Sequence, residues 1–447
     1  MSCKRLVSHG ASTRATVEKA CSLSVELLSD LCFPPGPSGR FWHITDLHLD
    51  PSYHLSKDPT QVCLSSKGAA ADHAGMFGDF LCDSPYALIQ SAFAHMRNLT
   101  LAGDFIIWTG DSPPHVPPAE LSTDLVIQVI ANMTESIRQH FPNLPVFPAL
   151  GNHDYWPQDQ MPTSTNAIYK AAAQLWAPWL QPDALRTLAQ GGFYSQLVEP
   201  GLRVVSLNTI LYYGPNKVTA NMTDPAGQFQ WLEETLRRSA VGLEKVYIIA
   251  HVPLGYLPFV NNVTAMREVH NERLVGIFRK YSDVIAGQFF GHTHRDSVMV
   301  LLDPEGRPLS SLFVSPAVTP IRNVLEPYSN NPALRMYKYH PEDYGVQDIW
   351  QFYLNLTEAN RRQESHWRLE YVMTEAFGLR DLRPLSLLQL GLDLRSPRSQ
   401  SFDTYFRHFM VSYDTDLRCR GGCKLQQVCA VLHVDLRGYS ECVAGGR

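Results

Sequence analysis

The chain has 447 residues, of which 45% are hydrophobic and 18% charged, an ordinary composition for a folded protein with a large core. Its formal net charge of −5 and the lack of a basic run argue against a protein that binds nucleic-acid polymers. No run of 18 apolar residues is present, and residues 443–447 lack a hydrophobic tail, so we expect neither a transmembrane segment nor a lipid anchor.

Residues 1–40 are predicted to be a non-globular lead-in. Their most apolar stretch, 23–33, is interrupted by Glu26, Ser29 and Asp30, so no signal peptide is evident. Because features later in the chain favour the secretory pathway, we expect residues 1 to about 38 to replace the usual signal peptide, as an alternative first exon would.

Strands and helices alternate in the predicted first domain, residues 41–325. Short apolar runs bounded by turn residues predict six strands, at 41–45, 105–109, 146–150, 204–207, 246–250 and 284–290. Helical spacing of apolar residues predicts helices between them, at 85–98, 122–140, 164–180, 225–238 and 266–281. A hairpin of 297–302 and 309–314 follows. This alternation predicts a layered α/β fold in which helices flank two mixed β-sheets.

The remaining residues, 326–447, have a different texture. Helical patterns at 348–359 and 402–410 accompany a cluster of Cys residues, and no ligand motif occurs there. We expect a smaller, mainly helical C-terminal subdomain held by disulfides.

Residues that commonly bind metals follow five of the six predicted strands. Because sheets of this kind place ligands at the carboxyl ends of their strands, we expect these side chains to converge. Asp46 and His48 are two residues apart and therefore point to the same side of an extended segment. A carboxylate such as Asp111 can bridge two ions, one oxygen to each. The candidate ligands are Asp46, His48, Asp111, Asn152, His251, His292 and His294.

The chemistry of these side chains limits the choice of metal. Imidazole, carboxylate and amide ligands together suit Zn²⁺, Fe or Mn²⁺, whereas calcium and magnesium take mostly oxygen ligands. Nothing in the sequence indicates redox chemistry. We therefore expect two Zn²⁺ ions as cofactors, with Fe or Mn the less favoured choices.

The order D-x-H, G-D, G-N-H-D, H and G-H-x-H resembles the calcineurin-like metallophosphoesterase superfamily. Segments 110–115, 149–156 and 287–294 resemble the acid sphingomyelinase branch, and the likeness extends over residues 41–447. It implies that 41–325 is the catalytic domain. It also implies one zinc site made of Asp46, His48, Asp111 and His294. The implied second zinc site shares Asp111 with Asn152, His251 and His292.

The same resemblance gives His115 and His153 the role of phosphate-contacting histidines. One of the two would protonate the leaving oxygen as a general acid. The implied reaction is an in-line attack on phosphorus by a hydroxide that bridges the two metals.

The Cys residues and the glycosylation sequons indicate the compartment. Spacing leaves three pairings open for the four Cys near the C-terminus, while the resemblance implies Cys419–Cys423 and Cys429–Cys442, together with Cys63–Cys82. Together with the disulfides, the sequons favour a secreted or lysosomal protein. Asn-x-Ser/Thr sequons begin at Asn98, Asn132, Asn221, Asn262 and Asn355.

The substrate is expected to be a small soluble molecule. Acid sphingomyelinase has an N-terminal saposin-type domain that handles lipid, whereas only 40 residues with three Cys precede the first predicted strand here. Soluble phosphodiesters and pyrophosphates are therefore favoured: nucleoside di- and triphosphates and nucleotide-choline conjugates. A sphingomyelin-type lipid phosphodiesterase is one alternative. A secreted binding module with a vestigial zinc site is the other. We expect a monomer.

Overall fold

The computed structural model describes residues 38–101, 103–260, 262–322 and 328–445. The predicted lead-in therefore lies outside the described residues, except for its last three. The strands of the described part are β1 Gly39–Ile44, β2 Phe105–Trp108, β3 Val146–Pro148, β4 Tyr194–Glu199, β5 Leu202–Leu207, β6 Lys245–Ala250, β7 Ile285–Phe290, β8 Ser297–Leu302, β9 Pro308–Val314, β10 Ala333–Tyr339, β11 Val346–Tyr353 and β12 Arg368–Val372.

The α-helices of the described part alternate with these strands and then dominate the C-terminal residues. They are α1 Tyr86–Leu99, α2 Thr123–His140, α3 Ala167–Leu175, α4 Pro182–Gly191, α5 Gln228–Val241, α6 Glu268–Lys280, α7 Leu356–Arg362, α8 Met373–Phe377, α9 Pro384–Arg395, α10 Ser401–Phe409, α11 Gly422–Leu432 and α12 Leu436–Gly445.

The strands form two mixed six-stranded sheets. The first has the order β12-β11-β10-β1-β2-β3, and the second has the order β4-β5-β6-β7-β9-β8. Strands β1, β2 and β3 run parallel to one another, as do β5, β6, β7 and β9. The carboxyl ends of these parallel strands define the edge from which the ligand residues emerge. The predicted α/β fold of two mixed sheets flanked by helices is confirmed.

The core between the two sheets is aromatic. Phe41 of β1 stacks on Tyr337 of β10 with ring centroids 4.8 Å apart. The same ring meets Phe289 of β7 edge-on at 5.2 Å and Tyr247 of β6 at 5.4 Å, both from the second sheet. Large aromatic side chains contribute most to such a core because each buries 150–250 Å². This packing fixes the two sets of strand ends relative to each other.

The predicted helix at 348–359 is wrong in its first half. Residues Val346–Tyr353 form β11, which pairs with β10 and β12, and helix α7 begins only at Leu356. Long-range pairing overrides the local pattern here, because the partner strands lie outside the segment itself. Strands β4, β10 and β12 were also not predicted.

Residues from Gly39 onward form one compact unit. Three strands from the C-terminal residues, β10, β11 and β12, extend the first sheet beyond β1. Among the described residues, no helix combines the length and the apolar character needed to cross a membrane.

Candidate metal centre

Each candidate ligand lies just after a strand, on loops that are hydrogen-bonded to one another. The backbone N–H of Asp46, after β1, donates to the carbonyl of Gly110, after β2, at 3.0 Å. Gly291, after β7, donates in the same way to the carbonyl of His251, after β6, also at 3.0 Å. Parallel neighbours in each sheet therefore bring their loops together, and contact between the sheets brings the two sets to one place.

The ligand loops have an unusual backbone conformation. Five of the seven candidate ligands have a positive φ, between 38° and 71°. Such values are uncommon for residues other than glycine and cost of order 1–3 kcal/mol each, so the surrounding structure must hold them in place. Residues in this conformation cluster at functional sites. The five are Asp46, His48, Asp111, His292 and His294.

The first group of ligand atoms surrounds Asp46. Its Oδ1 lies 3.3 Å from Nε2 of His294 and 3.7 Å from Nε2 of His48. Ligand atoms held about 2.0–2.2 Å from one zinc ion in a tetrahedral arrangement are roughly 3–3.6 Å apart. Asp46, His48 and His294 therefore match the spacing of ligands to a single ion.

The second group surrounds His251. Its Nε2 lies 3.0 Å from Oδ1 of Asn152, 3.1 Å from Oδ2 of Asp111 and 3.3 Å from Nδ1 of His292. The Asn152 oxygen and the His292 nitrogen are themselves 3.1 Å apart. These four side chains therefore form a second cluster with ligand spacing, and it offers two imidazoles, one carboxylate and one amide.

One oxygen of Asp111 belongs to both groups. Its Oδ2 lies 3.4 Å from His48 Nε2 in the first group and 3.1 Å from His251 Nε2 in the second. Its Oδ1 instead accepts the backbone N–H of His153 at 2.8 Å. The sequence-based expectation of one oxygen for each ion therefore differs from the structure, in which a single oxygen faces both clusters.

The donor set fits a pair of divalent cations. Among the described residues, Oδ1 of Asp46 and Nε2 of His48 are buried and have no hydrogen-bond partner, which is costly unless an ion contacts them. Burial opposes the charged forms, but the field of the two carboxylates raises the pKa of His48 and of His251 to about 9. The site therefore favours positive charge at these nitrogens, which a bound cation supplies.

Hydrogen bonds outside the ligand groups orient the imidazoles. Nδ1 of His48 lies 2.7 Å from the carbonyl of Pro113, and Nδ1 of His251 lies 2.7 Å from the carbonyl of Thr109. A carbonyl can only accept, so each Nδ1 carries a proton, and Nε2 is the nitrogen that faces the ligand groups. Burial and the neighbouring His251 lower the pKa of His292 to about 3, so this third imidazole is neutral.

Asp154, the last residue of G-N-H-D, supports the loops and is not a ligand candidate. Its carboxylate accepts three backbone N–H groups, from Asp111, Ser112 and Gly151, at 2.8–2.9 Å. Burial and the nearby Asp111 raise its pKa to about 6. Asp154 therefore ties the β3 loop to the β2 loop and fixes the backbone of Asp111.

His115 and His153 lie together beside the first ligand group. Their ring centroids are 4.2 Å apart, and His115 is 4.1 Å from the ring of His48. Burial lowers the pKa of both histidines. Nδ1 of His153 is buried and lacks a hydrogen-bond partner among the described residues. The structure thus brings both predicted histidines to the edge of the metal centre.

A cleft of about 890 Å³ opens next to this centre. His115, His292 and His294 are among the residues that line it. Its volume is within the range of about 300–1,000 Å³ that is usual for small-molecule sites. Apolar side chains line much of the remainder: Leu257, Pro258, Phe259, Val260, Phe406, Phe409 and Met410.

Sequence reasoning missed Asp83 as a residue of this site. Its buried carboxylate contacts His115, although 32 residues separate the two in the chain. Asp83 follows no predicted strand and belongs to none of the ligand motifs. The one available signal was its position next to Cys82, which the resemblance placed in a disulfide.

The cysteine pairings and the sequons were also placed by the structure. It contains the disulfides Cys63–Cys82, Cys419–Cys423 and Cys429–Cys442, as the resemblance implied. Four of the five sequon asparagines are exposed: Asn98, Asn132, Asn221 and Asn262. The fifth, Asn355, is half-buried and caps helix α7 by accepting the N–H of Glu358.

Comparison with known proteins gives two adjoining family matches. The calcineurin-like phosphoesterase family matches residues 39–296. The acid sphingomyelin phosphodiesterase C-terminal region matches residues 307–447.

Named relatives cover nearly the whole chain. The human cyclic GMP-AMP phosphodiesterase SMPDL3A is 58% identical over 412 residues, 92% of this chain and 91% of the relative. The human acid sphingomyelinase-like phosphodiesterase 3b is 42% identical over 412 residues, 91% and 90% of the two chains. Sphingomyelin phosphodiesterase A of Dictyostelium discoideum is 32% identical and covers 90% of this chain and 68% of its own. The chain therefore belongs to the calcineurin-like phosphoesterase family, within the branch that carries the acid sphingomyelin phosphodiesterase C-terminal region.

Proposed function

We propose that this chain is a two-zinc phosphodiesterase that hydrolyses soluble nucleotide-type phosphodiesters and pyrophosphates. The observation that carries the proposal is the pair of ligand groups that share Oδ2 of Asp111. Asp46, His48 and His294 complete the first site. Asn152, His251 and His292 complete the second.

The mixed ligand set supports zinc as the metal. Each group combines imidazole nitrogens with carboxylate or amide oxygens, which suits Zn²⁺ better than magnesium or calcium. When bound, two zinc ions supply a water of lowered pKa as nucleophile and positive charge beside the phosphate oxygens.

In this proposal, His153 contacts the phosphate and His115 protonates the leaving oxygen. Both rings lie within about 5 Å of His48, so a phosphate held at the first ligand group is within their reach. Nδ1 of His153, which has no other partner among the described residues, donates to a non-bridging phosphate oxygen. His115 protonates the leaving oxygen and so prevents the release of an unstable alkoxide.

The cleft and the relatives support a nucleotide substrate. A cleft of about 890 Å³ with an apolar wall has room for a nucleobase beside the phosphate. The relative that is 58% identical is named a cyclic GMP-AMP phosphodiesterase. We therefore include a cyclic dinucleotide of this type among the substrates, together with nucleoside di- and triphosphates and nucleotide-choline conjugates.

The three disulfides support an oxidising compartment, because such bonds do not persist in the cytosol. We propose that the protein is secreted or lysosomal and carries N-glycans at the exposed sequons. Every ligand and both catalytic histidines come from one chain, so a monomer is sufficient for activity.

A substrate panel on the purified, zinc-loaded protein tests the proposal. The panel contains bis-p-nitrophenyl phosphate, ATP, cyclic GMP-AMP and sphingomyelin vesicles free of detergent and activator, each at acidic and at neutral pH. We expect hydrolysis of the first three and no turnover of the vesicles. Turnover of the vesicles alone would establish the lipid phosphodiesterase instead. If none of the four is hydrolysed, the enzymatic proposal is wrong.

A further inference from the structure

Asp83 is a buried carboxylate whose nearest charged partner is His115. Its side chain is fully inaccessible to solvent, and it accepts the backbone N–H of His115 at 2.6 Å. Its two oxygens also lie 3.1 and 3.2 Å from Nδ1 of His115. Thr319 donates its hydroxyl to the same carboxylate at 3.0 Å. A buried charge of this kind is tolerated only with several such partners.

The contact determines which ring nitrogen of His115 faces the cleft. A carboxylate accepts, so Nδ1 of His115 carries a proton and donates it to Asp83. Nδ1 is thereby occupied, and Nε2 is left for the cleft that His115 lines. The backbone bond from His115 to the same carboxylate holds the main chain at this position as well as the ring.

A disulfide-bonded loop presents Asp83 to the site. The chain leaves the metal centre after His48 and returns at Ser84, whose N–H donates to the carbonyl of His48 at 3.0 Å. Cys82 directly precedes Asp83 and is bonded to Cys63. Beside Cys63, Ser65 accepts the N–H of Asp83 through its hydroxyl at 2.9 Å. The backbone of Asp83 is therefore fixed on both sides.

We propose that Asp83 is the positioning residue for His115, and that the loop closed by Cys63–Cys82 holds the backbone of Asp83 in place. Asp83 does not touch the substrate. It holds the ring by Nδ1 so that Nε2 meets the leaving oxygen. This inference rests on the proposed function, because it assigns the geometry of the proposed general acid.

The role of Asp83 is confined to one proton transfer. Water supplies the new P–O bond, and the P–O bond to the leaving group breaks. His115 acts as the imidazolium, with one proton on Nδ1 facing Asp83 and one on Nε2. The leaving oxygen takes the Nε2 proton, the ring regains one from solvent, and the proton lost by water is released. Protonation matters most when the leaving group is a weak acid, and least when it is stable as an anion.

The test compares two esters of thymidine 5′-monophosphate, one with p-nitrophenol and one with phenol, in the zinc-loaded full chain. p-Nitrophenolate leaves without protonation, whereas phenolate is more basic and benefits from an acid. We expect Asp83→Ala to lower kcat for the phenyl ester roughly 10²-fold and that for the p-nitrophenyl ester no more than about threefold. Metal content should equal that of the wild type.

Two further variants show whether Asp83 acts through His115. His115→Ala should give the same dependence on the leaving group, and Asp83→Ala combined with His115→Ala should be no slower than His115→Ala alone. Asp83→Asn retains one acceptor oxygen, so its kcat for the phenyl ester should lie between those of the wild type and Asp83→Ala. It also serves if Asp83→Ala does not fold.

Asp50 provides a matched control. It is a buried carboxylate that precedes the Cys63–Cys82 loop, and it accepts the N–H groups of Ser52 and Ser65 but does not contact His115. Asp50→Asn should lower kcat for the two esters by the same factor. Equal losses for the two esters in Asp83→Ala, or a further loss in the double variant, would overturn the role of Asp83. Wild-type protein that cleaves neither ester would instead contradict the proposed function.

Discussion

The histidines of this centre differ in what they contact, so they should respond differently to substitution. Nδ1 of His292 lies among the atoms of the second ligand group, at 3.1 Å from Asn152 and 3.3 Å from His251. His115 contacts Asp83 and lines the cleft. We therefore expect His292→Ala to lose one metal and all turnover. His115→Ala should keep both metals, while kcat for a substrate with a basic leaving group, such as the phenyl ester, falls by roughly 10²–10⁴-fold.

Metal analysis of each dialysed variant, paired with its turnover, checks this expectation. His140→Ala is a suitable control, because His140 lies at the end of α2 and bonds to Gln90 away from the centre. It should match the wild type in both measurements. A metal-depleted His115→Ala protein would refute the division between ligands and proton donors.

At the scale of residues, the sequence indicated the candidate ligands that the structure brings together, but not the residues that support them. Each candidate ligand follows a strand within a short motif, so local spacing is enough to propose it. The support given by Asp154 to Asp111 links two loops, and that given by Asp83 to His115 joins residues 32 positions apart in irregular segments. No local periodicity marks such contacts. The left-handed backbone of the ligand residues was equally invisible, because none of the five is glycine.

At the scale of elements, the loop closed by Cys63–Cys82 should matter for catalysis as well as for stability. Replacing both Cys by Ala removes a constraint on the unfolded chain worth about 3 kcal/mol for a loop of 19 residues. We expect both metals to remain bound, because no ligand lies in the loop. We expect kcat to fall more for a phenyl ester than for a p-nitrophenyl ester, because the disulfide no longer fixes the backbone next to Asp83.

The Cys429–Cys442 bond is the matched control. It closes a loop of similar length, with a separation of 13 residues, and packs in a cluster with Tyr256 and Tyr439. Its removal should lower the midpoint of urea unfolding by a similar amount. The ratio of kcat for the phenyl ester to kcat for the p-nitrophenyl ester should stay unchanged. If the ratio of kcat for the phenyl ester to kcat for the p-nitrophenyl ester is the same in both double variants, the Cys63–Cys82 bond contributes to stability alone.

The predicted elements succeed where the local pattern and the tertiary environment agree. Strands that end in ligands, and helices such as α2 with a Ser122 cap, were found at nearly their observed bounds. β11 was predicted as a helix because its identity comes from pairing with β10 and β12. β10 in turn pairs with β1 some three hundred residues earlier, as in the pair Gly39 and Tyr339. Pairings at that distance leave no mark in a local window.

At the scale of the whole molecule, a buried ion pair joins β10 of the first sheet to the residue that precedes β8 of the second. Arg335 of β10 is fully buried and pairs with Asp296, which directly precedes β8 in the other sheet. Asp296 also accepts the hydroxyl of Tyr371 from β12. Since His294 is only two residues from Asp296, this contact ties a ligand loop to the C-terminal strands.

Arg335→Met should therefore destabilise the whole molecule. It leaves Asp296 as an unpaired buried charge, a change that typically costs about 3–5 kcal/mol in the free energy of unfolding. Arg335→Met combined with Asp296→Asn should lower the free energy of unfolding by less, because no unpaired carboxylate is left buried. Urea unfolding at a fixed excess of zinc measures both, and losses that simply add would mean that the two residues are not coupled.

The central claim is that the centre holds two metal ions that are both required for hydrolysis. Metal analysis of the chelator-stripped chain during stepwise addition of zinc, with turnover of bis-p-nitrophenyl phosphate recorded at each step, tests this claim directly. The two ligand groups that share Asp111 predict saturation at two ions per chain, with full turnover only when both are bound. Saturation at one ion, or undiminished turnover by the stripped chain, would contradict the account.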